Sequence, residues 1–197
     1  DFDNDGDSDL FVVSQGAKSP CKLYANESTN GSIVFTDVTS STGIQIEELP
    51  MGVAIGDING DSFDDVYVTC HGPNQLFVNN GDGTFVDRAV DAKVDDNGWG
   101  TSASFGDLDG DGDLDLYVCN YLEFNMNNPP SNSTYKGVSV LGGPHGLTPQ
   151  QDIVYENLGD GTFAYANQKW GFTSPPAFGL NVAILDFNDD GKQDVYV

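Results

Sequence analysis

Four stretches of this chain share one acidic pattern: DFDNDGDSD from Asp1, DINGDSFDD from Asp57, DLDGDGDLD from Asp107 and DFNDDGKQD from Asp186. Each carries an oxygen side chain at its first, third, fifth and ninth places, and each runs straight into a β-type segment, LFVV, VYV, LYV or VYV. A hard dication such as calcium takes six to eight oxygen ligands, so carboxylates and amides at alternating places of a tight turn suit it. The pattern predicts Asp1, Asp3, Asp5 and Asp9 as ligands in the first loop, and Asp57, Asn59, Asp61 and Asp65 in the second. In the third it predicts Asp107, Asp109, Asp111 and Asp115, and in the fourth Asp186, Asn188, Asp190 and Asp194. Backbone carbonyls at the seventh place, those of Asp7, Phe63, Asp113 and Lys192, are expected to complete each set, giving about four calcium ions. Gly6, Gly112 and Gly191 occupy the sixth place, where a sharp turn favours positive φ; Ser62 stands there in the second loop, which is expected to be more strained.

Asp, Asn and Gly also cluster in ordinary turns. Four clusters in one register, each entering a strand, are not explained that way. An EF-hand loop ends on Glu at its twelfth place between amphipathic helices. Here the ninth place closes the loop and the flanks are strand-like.

Between the acidic loops lies a second motif: LYANESTNGSIVFTDV from Leu23, LFVNNGDGTFVDRA from Leu76 and VYENLGDGTFAYA from Val154. NNGDGT and NLGDGT between apolar alternations read as hairpins. The second unit then has four strands, GVAIG, DVYVTC, QLFVNN and TFVDRAV. Repeats of four antiparallel strands are propeller blades. The fold class is therefore all-β, a β-propeller of four-stranded blades with calcium loops. It divides into a partial blade at 1–42, blades at 52–90 and 100–168, and a partial blade at 179–197. Closed propellers have four to eight blades, so this is about half a ring, and both ends fall inside a unit as in a piece of a longer chain. The third blade carries an insertion at 121–152, rich in Pro, Asn and Gly, whose aromatic residues are expected to form either a self-packed flap or a ligand-binding ledge.

The chain has 31 acidic against 7 basic residues, net charge −24. Fourteen of those acids are proposed ligands, so the acidity is largely that of the loops, and the excess disfavours nucleic acid as a partner. No apolar run is long enough to span a membrane. His71 and His145 accompany no nucleophile motif, so no catalytic residue is assigned and the chain reads as a non-enzyme. Asn26, Asn30 and Asn132 head N-glycosylation sequons, and of the three cysteines Cys21 is expected to pair either with Cys70 or with a partner outside this stretch.

The combination of DxDxDGxxD, DLYV, NxGDGTFxD and WGTSASFGD resembles the FG-GAP and VCBS-type repeats of integrin-like propellers, most closely the cartilage acidic protein group associated with ASPIC/UnbV domains. The resemblance implies calcium on the loop aspartates and an extracellular or cell-surface location. Integrin-type ligand recognition is not carried over, because its loops do not match here. The roles expected of such a scaffold are a protein- or glycan-binding adhesion module, alternatively a structural subunit that meets copies of itself in an extracellular assembly, and after these a propeller part of a secreted enzyme.

Overall fold

The computed structural model describes residues 1–15, 20–140, 142–144 and 146–197. Its sheets are antiparallel and follow the units of the sequence. β1 (Leu10–Val12), β2 (Lys22–Asn26) and β3 (Phe35–Asp37) pair in that order. A helical turn, α1 (Thr39–Thr42), leads to a complete blade of β4 (Leu49–Gly56), β5 (Asp65–His71), β6 (Gln75–Asn79) and β7 (Phe85–Asp87). After α2 (Ala89–Ala92) comes β8 (Gly100–Gly106), then β9 (Asp115–Asn120). The insertion holds a separate hairpin of β10 (Ser133–Tyr135) and β11 (Val138–Val140), both fully exposed. β12 (Ile153–Asn157) and β13 (Phe163–Tyr165) complete that blade, and β14 (Ala183–Leu185) pairs with β15 (Asp194–Tyr196).

The inner strands of the two complete blades, β5 and β9 above all, are buried on both faces because each of these blades has a neighbouring sheet on either side. In β5, Val66, Val68 and Cys70 face the first sheet with Phe2, Leu23, Ile44, Phe77 and Phe85. Tyr67 points the other way, into a core shared with Leu116 and Val118 of β9. Tyr117 and Cys119 of β9 then face Val182 and Ile184 of the last sheet. The period-two alternation of a strand thus divides its side chains between two inter-blade cores. The first strands of successive blades approach closely: a Cβ on Gly52 of β4 would lie 2.7 Å from the Thr101 carbonyl of β8.

One expectation differs in detail. TFVDRAV reads as strand throughout, but β7 ends at Asp87 and the Ala-Val pair lies in α2. The Asp87 carboxylate accepts the Ala89 N–H at 3.0 Å, an Asx turn that ends pairing and starts the helical turn.

Because antiparallel strands reverse at every turn, the acidic loops and the GDGT hairpins fall on one edge of the blades. The β5–β6 connection, the inter-blade linkers and the 121–152 insertion fall on the other. The insertion is closed at its base: Leu122 bridges Pro149, Glu123 N–H donates to Thr148 O at 2.8 Å, and Gln150 N–H donates to Tyr121 O at 3.2 Å. Above that base, Trp99 is surrounded edge-to-face by His71, Tyr121 and Phe124 at centroid distances of 5.0, 5.4 and 5.3 Å.

Candidate metal centre

The acidic loops are wound by their own ligand side chains. The first-place carboxylate accepts the sixth-place N–H in all four: Gly6 to Asp1 at 3.0 Å, Ser62 to Asp57 at 2.8 Å, Gly112 to Asp107 at 3.2 Å and Gly191 to Asp186 at 2.8 Å. The third-place oxygen accepts the fifth-place N–H in three loops, at 3.3 Å to Asp3, 3.0 Å to Asn59 and 3.3 Å to Asp109. In the fourth loop Asp190 N–H instead reaches Asp186 at 3.2 Å. The fifth-place oxygen accepts from the seventh-place N–H of Asp7, Phe63, Asp113 or Lys192, at 2.9 to 3.0 Å. These successive Asx turns curl the backbone around the side chains. They explain why short oxygen-bearing residues stand two apart, and N–H bonds led by that from Gly191 hold Asp186 below the usual carboxylate range.

Such winding requires left-handed backbone at two places in each loop. The sixth residue has φ of 94° at Gly6, 72° at Ser62, 99° at Gly112 and 83° at Gly191. The fourth has 58° at Asn4, 72° at Gly60, 83° at Gly110 and 59° at Asp189. Gly, Asn and Asp tolerate that region; Ser62 is the exception, as expected. The requirement at the fourth place was missed, although its residues N, G, G and D carry the signal.

The ninth-place aspartates sit at the root of each loop. Asp65 and Asp115 are almost wholly buried. The Asp65 carboxylate accepts from Ile58 N–H at 3.1 Å and Asn79 N–H at 2.8 Å; Asp115 accepts from Leu108 and Asn157 N–H at 2.8 and 2.9 Å. Burial pushes both up to about 6, against the pull of those N–H groups and with a further push from neighbouring loop carboxylates. Asp109 is raised too, by burial and then by the Asp111 charge.

In the first loop the carboxylates of Asp1, Asp3 and Asp9 come within 4.8 Å of one another, and in the third those of Asp107, Asp109 and Asp111 do. Asp5 and Asp115 lie outside those groups. The second and fourth loops form no such three-carboxylate group among the described residues, having Asn59 and Asn188 at the third place. All-oxygen donor sets of crowded, mutually repelling carboxylates fit a hard divalent cation, whose charge opposes the upward push on their acidity. No histidine or cysteine stands in these loops.

Comparison with known proteins agrees with this geometry. The profile described as FG-GAP-like repeat matches residues 1–68, 57–118 and 140–197, and that described as FG-GAP repeat matches 99–139. The chain belongs to the FG-GAP repeat family. It is 35% identical over 174 residues to cartilage acidic protein 1 of Homo sapiens, covering 87% of this chain and 22% of that protein. It is 34% identical over 99 residues to the Mus musculus protein, 49% of this chain and 15% of that one. Identity to the Xenopus tropicalis protein is 28% over 178 residues, 87% and 23%. This FG-GAP chain thus spans less than a quarter of the length of these relatives. Its repeats are of a generally calcium-binding kind, and its blades are part of a β-propeller.

The remaining expected sites are placed as follows. Asn30 and Asn132 are exposed. Asn26 is not free in the same way, because its Nδ2 donates to Ser8 O at 2.9 Å and its Oδ1 accepts from Ser28 N–H at 3.1 Å. The Cys21–Cys70 disulfide is not formed, and all three cysteines are free and buried. Cys70 packs into the inter-blade core beside Val66, Val68 and Phe77, whereas Cys21 Sγ is turned to its own blade, where it accepts from Ser14 N–H at 3.3 Å. His71 Nε2 lies 3.2 Å from the Phe124 carbonyl and supports the base of the insertion; His145 lies outside the described residues. Among the described residues no helix is long and apolar enough to cross a membrane.

Proposed function

We propose that this chain is an extracellular, calcium-stabilised propeller scaffold in which the acidic loops hold one edge and the 121–152 insertion presents a protein- or glycan-binding surface on the other. The observation that carries the calcium reading is the fourfold Asx-wound loop, with two loops gathering three carboxylates apiece. The ions would be held by the first-, third-, fifth- and ninth-place side chains and the seventh-place carbonyls. Their chemistry is structural: a dication cancels the repulsion that otherwise opposes closing each loop. No catalytic residue is assigned. The extracellular setting is supported by the FG-GAP repeats and by the kinship to cartilage acidic protein 1.

Extracellular calcium modules bind with dissociation constants of about 10⁻⁴ to 10⁻³ M, and at roughly tenfold that concentration linkage supplies about 1.4 kcal/mol per site. Four such sites contribute about 6 kcal/mol, comparable to the net stability of an ordinary domain. Calorimetry in calcium and then in excess EDTA tests this: the melting temperature should fall by at least about 10 °C. Equal melting in the two buffers refutes the calcium role. For the display role, a version with residues 126–146 replaced by a short Gly-Ser linker, which keeps Phe124 on Trp99 and His71, should melt as before yet lose retention on a panel of glycans and matrix proteins. Undiminished retention would place the binding surface elsewhere.

A further inference from the structure

The asparagine ending the third strand of each blade recurs as Asn26, Asn79 and Asn157, and its hydrogen bonds recur with it. Its backbone N–H donates to the ninth-place carboxylate of its own loop, at 2.9 Å to Asp9, 2.8 Å to Asp65 and 2.9 Å to Asp115. Its Nδ2 donates to the eighth-place carbonyl of the same loop, Ser8, Asp64 or Leu114, at 2.9, 3.3 and 3.1 Å. Its Oδ1 accepts a hairpin N–H from Ser28, Gly81 or Gly159.

Asn79 and Asn157 make one bond more. Asn79 Nδ2 donates to Phe2 O at 2.8 Å and Asn157 Nδ2 to Ile58 O at 2.8 Å. Phe2 and Ile58 are the second residues of the acidic loops of the preceding blades. Their N–H groups are held by those loops' own ninth-place aspartates, at 2.8 Å to Asp9 and 3.1 Å to Asp65. A continuous series of bonded residues therefore runs Asp9, Phe2, Asn79, Asp65, Ile58, Asn157, Asp115. Both asparagines are only 2% exposed, so water cannot readily take over a broken link. A second bridge joins the first pair of loops, where Asn4 Nδ2 donates to Ser62 O at 2.9 Å.

We infer that Asn79 and Asn157 are positioning residues that couple neighbouring calcium loops, so that filling one loop raises the affinity of the next. The inference rests on the calcium reading above. Ordering of one loop fixes its second and ninth residues, and through the asparagine it fixes the ninth residue of the adjoining loop. The neighbour then has less freedom to lose when its own ion arrives, which is positive cooperativity without a contact between ions.

The test is a calcium titration of the chain followed by ¹⁵N NMR, with the sixth-place amides of Gly6, Ser62, Gly112 and Gly191 reporting their own loops. Asp61→Asn keeps the Asx turn to Phe63 but weakens the second loop. It should raise the calcium midpoint at Gly112 by about fivefold or more, the lower end of ordinary allosteric coupling. In an Asn157→Ala background the same substitution should lose that rise and leave only the effect of the charge change, which is common to both backgrounds; persistence of the full rise there overturns the role of Asn157. An unchanged Gly112 midpoint in Asp61→Asn overturns the inference, and that arm decides the matter even if Asn157→Ala fails to fold. If no amide responds to calcium in the unsubstituted chain, the calcium reading itself fails.

Discussion

Tyr67 offers a quantitative test of how the blades are joined. It is fully buried in β5 and points into the core between the two complete blades. Its hydroxyl donates to Val94 O at 2.7 Å, in the linker beyond α2, and accepts from Asn74 Nδ2 at 2.9 Å. Tyr67→Phe keeps the ring and opens no cavity, so the loss is confined to these two bonds. It strands one buried carbonyl and one buried amide hydrogen, each worth about 1 to 3 kcal/mol, and a total of about 2 to 6 kcal/mol is expected. For a chain of this size a kilocalorie moves the midpoint by about 2 to 4 °C, so calorimetry in saturating calcium should record a drop of roughly 4 to 24 °C. Tyr165→Phe, on an exposed outer strand, serves as the control and should change melting by less than about 0.5 kcal/mol. A Tyr67→Phe shift no larger than the control's would mean that the linker carbonyl finds another donor, and the claim that this hydroxyl ties the blades would be refuted.

Gly52→Ala should destabilise by about 2 kcal/mol or more, because the atom its Cβ would meet at 2.7 Å is the Thr101 backbone oxygen and not a movable side chain; urea unfolding measures it. Burial, with a smaller contribution from Glu48, pushes the Cys70 thiol up to about 12, and burial pushes Cys119 to about 12. A thiol whose acidity is suppressed only in the fold gives stability that is complete below the unfolded value near 9 and lost as pH rises toward 12. Melting under reducing conditions should therefore decline from about pH 8.5 upward, and replacing both cysteines with Ala should flatten that slope. On secretion from glycosylating cells, peptide mass spectrometry should find sugar at Asn132 and Asn30 but not at Asn26, whose amide nitrogen is engaged with Ser8.

Much of the fold was legible because the acidic loop marks the start of a strand and the GDGT turn marks the next reversal. Together they fix strand order without any knowledge of packing. The division of β5 between two cores was not legible: VYVTC reads as a plain buried run, and only the presence of a neighbour on each side tells Tyr67 from Val66 and Val68. The ligand-bearing places were visible as a period of two. The asparagines at 79 and 157 stood in plain view within NNGDGT and NLGDGT but read as turn formers, because their partners, Phe2 and Ile58, are distant in sequence. The hairpin of β10 and β11 was hidden by its brevity: STY and VSV are three residues each, too short for their alternation to stand out in a stretch rich in Pro, Asn and Gly. Cys21 and Cys70 are both free, so equivalence of place in neighbouring blades was not enough to predict a bond between them.

The insertion leaves and re-enters its blade through a zipped neck, with Leu122 opposite Pro149 and Glu123 bonded to Thr148. Everything beyond that neck is a cassette: its ends arrive already joined, so its content can be lengthened, shortened or exchanged with little demand on the strands beneath. A propeller built this way separates the residues that must be kept from those free to vary. The insertion can change at one blade while the acidic-loop edge opposite stays as it is.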